Sequence, residues 1–365
     1  SELYSWYLRS PKYRTLARKL VEASRTRKPA DIISESVAKV LYGEVSPYSA
    51  TRLERYSACA FAHFLQYGLK LTERAEYEFR AMDMGNIMHK VLESLIKEVN
   101  KEKLSLAELS EEERDALADR LVDTISADYG NTILKSSARN EYMIQRTKRM
   151  VRRTVWAIQK QLKSGEFEPE GVEVVFQGGR IDRVDTMETD DGKLYVRVID
   201  YKTGNTSFDL VSLYHGLQLQ LMIYMDGALT VEQNKHKDKE VIPAGVFYYN
   251  IKDPMIQEKI DADVKAVSAG LMKELKMNGL VQADPELVYR MDSSLGSIPV
   301  AFNKDGSFRK NSSVADRTQF AVLGRYVRTK IEKIRSSILE GDAEVSPYEL
   351  GKKNACTYCP CMTVC

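Results

Sequence analysis

Leu194-Tyr195-Val196-Arg197-Val198-Ile199-Asp200-Tyr201-Lys202-Thr203-Gly204 is rich in β-branched and aromatic residues and closes on two charged ones. That composition predicts a strand. Strand side chains alternate, so Val196, Val198, Asp200 and Lys202 share one face, and Tyr195, Arg197, Ile199 and Tyr201 share the other. Upstream, Gly179-Arg180-Ile181-Asp182-Arg183-Val184-Asp185 predicts a second strand, and Val172 to Phe176 a third. The polar turn Thr189-Asp190-Asp191-Gly192 joins the last two strands into an antiparallel hairpin or meander. A turn of this length brings Asp182 beside Asp200, so that two carboxylates and one ammonium converge at a strand end. Such carboxylates hold hard cations, which neutralise a phosphodiester and lower the pKa of an attacking water. Lys202 then orients that water or stabilises developing charge. In isolation an Asp-x-Lys is more often a cross-strand ion pair on a solvated face, so the surrounding sequence must decide.

On the N-terminal side of these strands, Gly85 to Val99 places Met88, Val91, Leu92, Leu95, Ile96 and Val99 on one helical stripe, with His89 at its edge. Residues 104–163 predict long amphipathic helices, first acidic (EEERDALADR) and then basic (RTKRMVRR). Asp209 to Leu229 predicts a helix, Val241 to Asn250 a strand, and Asp316 to Leu339 a long helix. Nearer the N-terminus, Asp31 to Tyr42 predicts a capped helix. Tyr48-Ser49-Ala50-Thr51 caps another that runs through Leu53, Tyr56 and Phe61 and carries Cys59. The order of helix, three strands, helix, strand, helix predicts an α/β or α+β core with helical additions.

At 365 residues and 43% hydrophobic content the chain can bury a real core. Its 54 basic and 52 acidic side chains leave a net charge of +2, which gives no global sign of nucleic-acid binding. Local basic runs do exist: Arg146, Lys148, Arg149, Arg152 and Arg153, then Arg325, Arg328, Lys330 and Lys333. They read equally as phosphate contacts or as solvated helix faces. No G-x-x-x-x-G-K-[ST] loop occurs, no membrane span or signal peptide is predicted, and the expected location is cytoplasmic. The absence of an initiator methionine suggests a piece of something longer. Of the five cysteines, four fall within the last ten residues, which favours metal or cluster ligation over a disulfide framework.

The segments 179–185 and 198–204 resemble the GxIDRxD and DYKTG signature of RecB-type nucleases in the PD-(D/E)xK superfamily. Gly85 through His89 to Glu93 resembles that family's G-x-x-x-H-x-x-L-E helix, and Gln220 to Tyr224 its Q-x-x-x-Y helix. The resemblance implies an α/β, RecB-like restriction-endonuclease-type core, a mixed sheet flanked by helices with helical insertions. It implies a metal-dependent DNA exonuclease in which His89, Asp182 and Asp200 bind Mg2+ or Mn2+ and Lys202 is the catalytic lysine. Gln220 and Tyr224 would brace the site or contact DNA, and Glu173 stays uncommitted as a further acidic ligand.

Cys356-x2-Cys359-x5-Cys365, paired with the distant Cys59, resembles the iron–sulfur staple of AddB-type subunits of helicase–nucleases. Four thiolates hold a [4Fe-4S] cluster or, alternatively, zinc, with Cys361 to spare. Leu53-Glu54-Arg55-Tyr56, Tyr67 to Leu71, Ala244 to Tyr249, Ile338 to Gly341 and Pro347-Tyr348 extend this likeness, and Ala60 departs from a usual proline. The implied organisation is residues 1–50 as a helical remnant of a preceding helicase-like region. Residues 51–365 would be the nuclease domain, with an insertion at about 104–163 and the staple at 356–365. The implied partners are DNA, single-stranded or at a duplex end, and an AddA-type helicase–nuclease subunit. The implied task is cutting the 5′-terminated strand at double-strand breaks for recombination. The rivals are a non-catalytic DNA-binding scaffold that keeps the fold and a RecB-family nuclease of another DNA pathway.

Overall fold

The computed structural model describes residues 2–25, 33–43, 49–72, 81–128, 138–256, 263–351, 353–362 and 364–365. Its helices are α1 (Glu2–Arg9), α2 (Arg14–Arg25), α3 (Glu35–Tyr42), α4 (Ala50–Ala58), α5 (Ala60–His63), α6 (Ala81–Lys101) and α7 (Glu111–Asp128). They continue with α8 (Ala138–Lys163), α9 (Leu210–Tyr214), α10 (Gln220–Lys235), α11 (Val264–Glu274), α12 (Pro285–Met291) and α13 (Arg317–Leu339). The strands are β1 (Glu168–Phe176), β2 (Gly179–Glu188), β3 (Lys193–Lys202) and β4 (Glu240–Asn250). Four shorter ones follow: β5 (Asn278–Gln282), β6 (Val314–Ala315), β7 (Glu349–Leu350) and β8 (Lys353–Asn354). The chain divides into two compact units, a sheet unit of residues 75–329 and a terminal unit of residues 1–74 with 330–365.

In the sheet unit the predicted meander is present: β1, β2 and β3 pair antiparallel in sequence order. β4 joins parallel to β3, β5 antiparallel to β4 and β6 parallel to β5, giving a mixed six-stranded sheet in the order β1 to β6. A parallel β3–β4 step needs a crossover, and α9 and α10 supply it, with α10 lying across β1 to β4. The other face is covered by α6, α7 and α8. There the stripe of Met88, Val91, Leu92, Leu95, Ile96 and Val99 is buried in one core with Ile199, Tyr201, Phe247 and Tyr249.

Three readings are corrected by the structure. Residues 209–229 are two helices rather than one. The Asp209 carboxylate accepts from Val211 and Ser212 to start α9, and the chain then turns at Gly216, whose φ of +80° ends it before α10. Cys59 does not sit within a helix: it is an extended residue, φ −169°, between α4 and α5. The break lets flanking backbone pair with the C-terminal segment, Tyr348 N–H to Ala58 O at 2.7 Å and Phe61 N–H to Glu344 O at 3.0 Å. The helix expected from Asp31 begins at Glu35, capped by Ser34, while Asp31 and Tyr48 lie outside the described residues. Among the described residues no helix is long and apolar enough to cross a membrane.

Candidate active site

The β2–β3 register pairs Arg183 with Ile199, and one step further sets Asp182 directly opposite Asp200. Asp182 Oδ2 accepts the Tyr201 backbone N–H at 2.7 Å and lies 3.3 Å from His89 Nδ1. α6 can deliver that imidazole because Gly85, one turn earlier, packs against the end of β3. A Cβ there would meet Thr203 Oγ1 at 3.3 Å, so a larger residue would crowd Thr203. Lys202 Nζ stands 2.5 Å from Asp200 Oδ2 and donates to Gln220 Oε1 at 2.8 Å. Gln220 in turn donates to the Tyr224 hydroxyl at 2.8 Å, and Phe176 meets the Tyr224 ring edge-on at 5.8 Å. Gln220 therefore touches the lysine directly, and Tyr224 reaches it through Gln220.

A residue the sequence left uncommitted joins this group. His89, Glu173 and Asp182 offer ligand atoms that lie within 4.8 Å of one another. Glu173 has φ +51° in the middle of β1, a left-handed conformation that costs a non-glycine residue about 1–2 kcal/mol and that tends to persist where function holds it. Its carboxylate pairs with Arg180 at 2.9 Å. Counting from the turn would have found it: Phe176 pairs with Gly179, so Glu173 and Asp182, each three residues away, face each other.

These acids repel, and burial amplifies the repulsion. The Asp200 carboxyl is pushed up to about 7, by burial first and by Asp182 second, with Lys202 and His89 opposing. Asp200 Oδ2 is buried, and its close charged neighbour is the Lys202 ammonium. Burial works against the charged form of His89, but Asp182, with help from Asp200, outweighs it and raises the imidazole. The clustered ligand atoms of Glu173, Asp182 and the His89 imidazole, with Asp200 facing them, form a donor set that fits a hard divalent cation such as Mg2+ or Mn2+.

On the opposite face of the same strands Arg183, Asp185 and Arg197 form a fully buried ion triad. Arg183 Nε and Arg197 Nε donate to Asp185 at 2.6 and 2.8 Å. Burial alone would raise the Asp185 carboxyl, yet the two guanidiniums hold it below its ordinary value. Asp185→Ala would strand two buried cations, and chemical denaturation is expected to read a loss of about 3 kcal/mol. A loss below about 1 kcal/mol would contradict that role for the triad.

Basic runs are partly neutralised internally. On α8, Lys148 pairs with Asp123 and Arg152 with Asp119 of α7, while Arg149 reaches Asp253 at 3.5 Å. On α13, Arg328 pairs with Asp226 at 2.5 Å. In the terminal unit, Cys59 and Cys361 are buried, Cys356 and Cys359 half-buried and Cys365 exposed. The Cys365 thiol is pushed up by desolvation and then by Cys359, Cys59, Cys356 and Cys361 together, so the distant cysteine does converge with the C-terminal set. Arg55 Nη2 donates to Cys359 Sγ at 3.5 Å.

Facing acidic residues and a lysine at the end of a mixed sheet define a nuclease of the PD-(D/E)XK class. The model of the PD-(D/E)XK nuclease superfamily matches residues 47–365, and the chain belongs to that superfamily. It is similar to an ATP-dependent helicase/deoxyribonuclease subunit of Lachnoclostridium phytofermentans, 42% identical over 354 residues, 91% of this chain and 30% of that protein. It is similar to the helicase/deoxyribonuclease subunit of the same name from Alkaliphilus metalliredigens, 34% identical over 390 residues, 100% of this chain and 34% of that protein. The corresponding protein of Clostridium acetobutylicum is 34% identical over 388 residues, 100% of this chain and 33% of that protein. The chain spans about a third of the length of these relatives.

Proposed function

We propose that this chain is the metal-dependent deoxyribonuclease module of a helicase–nuclease. The observation that carries the reading is the cross-strand pair Asp182 and Asp200, joined by His89 on one side and by Lys202 on the other. His89, Asp182 and Asp200 would hold a divalent cation, with Glu173 as a fourth donor. When bound, the cation neutralises phosphate charge and acidifies a water. Lys202 places its ammonium beside the same phosphate, stabilising charge that builds on the oxygens as the bond breaks. Gln220 fixes the lysine and Tyr224 fixes Gln220, so these two act as positioning residues. The Tyr201 backbone N–H orients Asp182.

The chain's own segments contain no phosphate-binding loop, so ATP-driven unwinding falls to other segments or to an AddA-type subunit. The relatives, named as subunits of an ATP-dependent helicase/deoxyribonuclease, support that setting with DNA as substrate, and the location in this reading is the cytoplasm. By resemblance the strand cut is the 5′-terminated one, in break processing for recombination. Cys59, Cys356, Cys359 and Cys365 would hold a [4Fe-4S] cluster, a reading supported by the closeness of the other cysteines to Cys365.

The test is degradation of single-stranded DNA, labelled at either end, with Mg2+ or Mn2+ and with an EDTA control. Loss of product with EDTA and with Asp200→Ala supports the reading, and the labelled end gives polarity. Intact DNA in every lane, from folded and cluster-loaded protein in its complex, overturns it in favour of a scaffold.

A further inference from the structure

Resting on the nuclease reading above, the geometry points to a base-stacking platform for single-stranded DNA on the exposed ring of Tyr214, backed by Tyr326, close in sequence to the carboxylate site. We propose that this platform seats the strand that the site cuts. Tyr214 ends α9 and Tyr326 lies on α13. Their rings are parallel within 9° at a centroid distance of 5.6 Å, and the Tyr326 hydroxyl donates to the Tyr214 carbonyl at 2.6 Å. The Tyr214 ring is thus backed by Tyr326 and met edge-on by His215 at 5.2 Å, yet Tyr214 remains 60% exposed. A pair serving only internal packing would bury both rings.

Two further observations select the occupant. Leu210 and Val211, on the same short helix, are 49% and 48% exposed, so apolar surface surrounds the ring. Arg325, next to Tyr326, is exposed and makes no ion pair among the described residues, unlike Arg328 with its Asp226. An aromatic face, apolar flanks and a cation are the elements of sequence-tolerant single-strand binding, in which stacking contributes about 1–3 kcal/mol per base.

The platform is also held in place relative to the catalytic strand. Gln218 accepts the Asp209 N–H at 2.9 Å and donates to Ser207 O at 2.8 Å, while Phe208 N–H is taken by Asn278 at 2.7 Å. These bonds pin the segment that leaves Lys202 and leads into α9. Tyr214 is only six residues before Gln220, the residue bonded to Lys202, so the two backbones are at most about 20 Å apart. A few nucleotides span that distance.

The test is fluorescence anisotropy with oligothymidine in EDTA, where the full chain binds without cutting, together with single 2-aminopurine substitutions along the oligonucleotide. Tyr214→Ala is expected to weaken binding about 5- to 100-fold and to abolish the quenching of one or two adjacent 2-aminopurines. Tyr214→Phe and Tyr214→Trp should restore both, and Tyr214→Leu should not, which separates stacking from mere bulk. In cleavage with Mg2+ the Ala variant should raise KM more than it lowers kcat. Wild-type chain that binds and cuts DNA, alongside a Tyr214→Ala chain of equal affinity, would overturn the platform alone; a patch that docks a protein gives that result. Wild-type chain that cuts DNA yet binds no oligothymidine would also overturn the platform alone, and wild-type protein that neither binds nor cuts DNA in its complex would overturn the nuclease reading and the platform with it.

Discussion

Asp200→Asn is expected to lower magnesium-dependent DNA cleavage by at least about a thousandfold while raising the melting temperature of the metal-free chain. Removing a carboxylate that holds the cation forfeits several kcal/mol of charge stabilisation, and each 1.36 kcal/mol is a factor of about ten in rate. The stability change has the opposite sign because Asp200 is buried and faces Asp182, a combined cost that Lys202 and His89 only partly offset. An amide of the same shape carries no charge to desolvate.

The pH dependence follows from the same placement. The Asp200 carboxyl is raised from 3.8 to about 7 in the folded chain, so folding favours its protonated form. Whatever stability that form confers is intact below about pH 4 and is lost as pH rises to about 7. Metal-free wild type should therefore lose stability across that window relative to Asp200→Asn, and the two curves should run parallel above it. Mg2+ competes with the proton, so its stabilising effect on wild type should be larger at pH 8 than at pH 5. Thermal melts of both proteins with EDTA and with Mg2+ give all four comparisons. Cleavage within tenfold of wild type would remove Asp200 from the site, and identical pH slopes would remove the buried repulsion.

What the sequence made legible was local. Alternation along residues 194–202 set Asp200 and Lys202 on one face, and a short polar turn set Asp182 across from them, because both follow from strand geometry alone. Glu173 stays uncommitted in the sequence because its placement depends on a second turn, whose register sets it opposite Asp182, and on a positive φ in the middle of β1, which no propensity predicts for glutamate. The break at Cys59 was invisible because the acceptors and donors that favour it, Tyr348 and Glu344, lie nearly 300 residues away. Both charges of the α7–α8 pairs were seen in the sequence. That Lys148 faces Asp123 and Arg152 faces Asp119 is a tertiary fact, and it takes those cations out of the candidate DNA surface. The single helix read over 209–229 failed at Gly216, and it is the resulting corner that presents Tyr214.

Cys359→Ser is expected to abolish the visible absorbance of an iron–sulfur cluster and to destabilise the terminal unit by on the order of 5 kcal/mol. Among the described residues, the bonds joining the two ends of the chain in that unit include Ile33 N–H to Gly341 O, Phe61 N–H to Glu344 O, Tyr348 N–H to Ala58 O, the Tyr56 hydroxyl to Asp342, and Arg55 to Cys359. Hydrogen bonds of this kind contribute about 1 kcal/mol each. A cluster tying Cys59 to Cys356 closes a loop of nearly 300 residues, and the entropy so removed from the unfolded chain grows with the logarithm of loop length. The cross-link should thus outweigh any one of those contacts and be comparable to their sum. Cys361→Ser should keep both colour and stability, since Cys361 is the cysteine outside the C-x2-C-x5-C spacing. Iron analysis and visible spectra read the first effect and thermal melts the second. A colourless wild type that contains one zinc per chain would keep the staple and replace its metal. Wild type holding neither metal, with Cys359→Ser melting at the same temperature, would leave the converging cysteines without the role proposed for them.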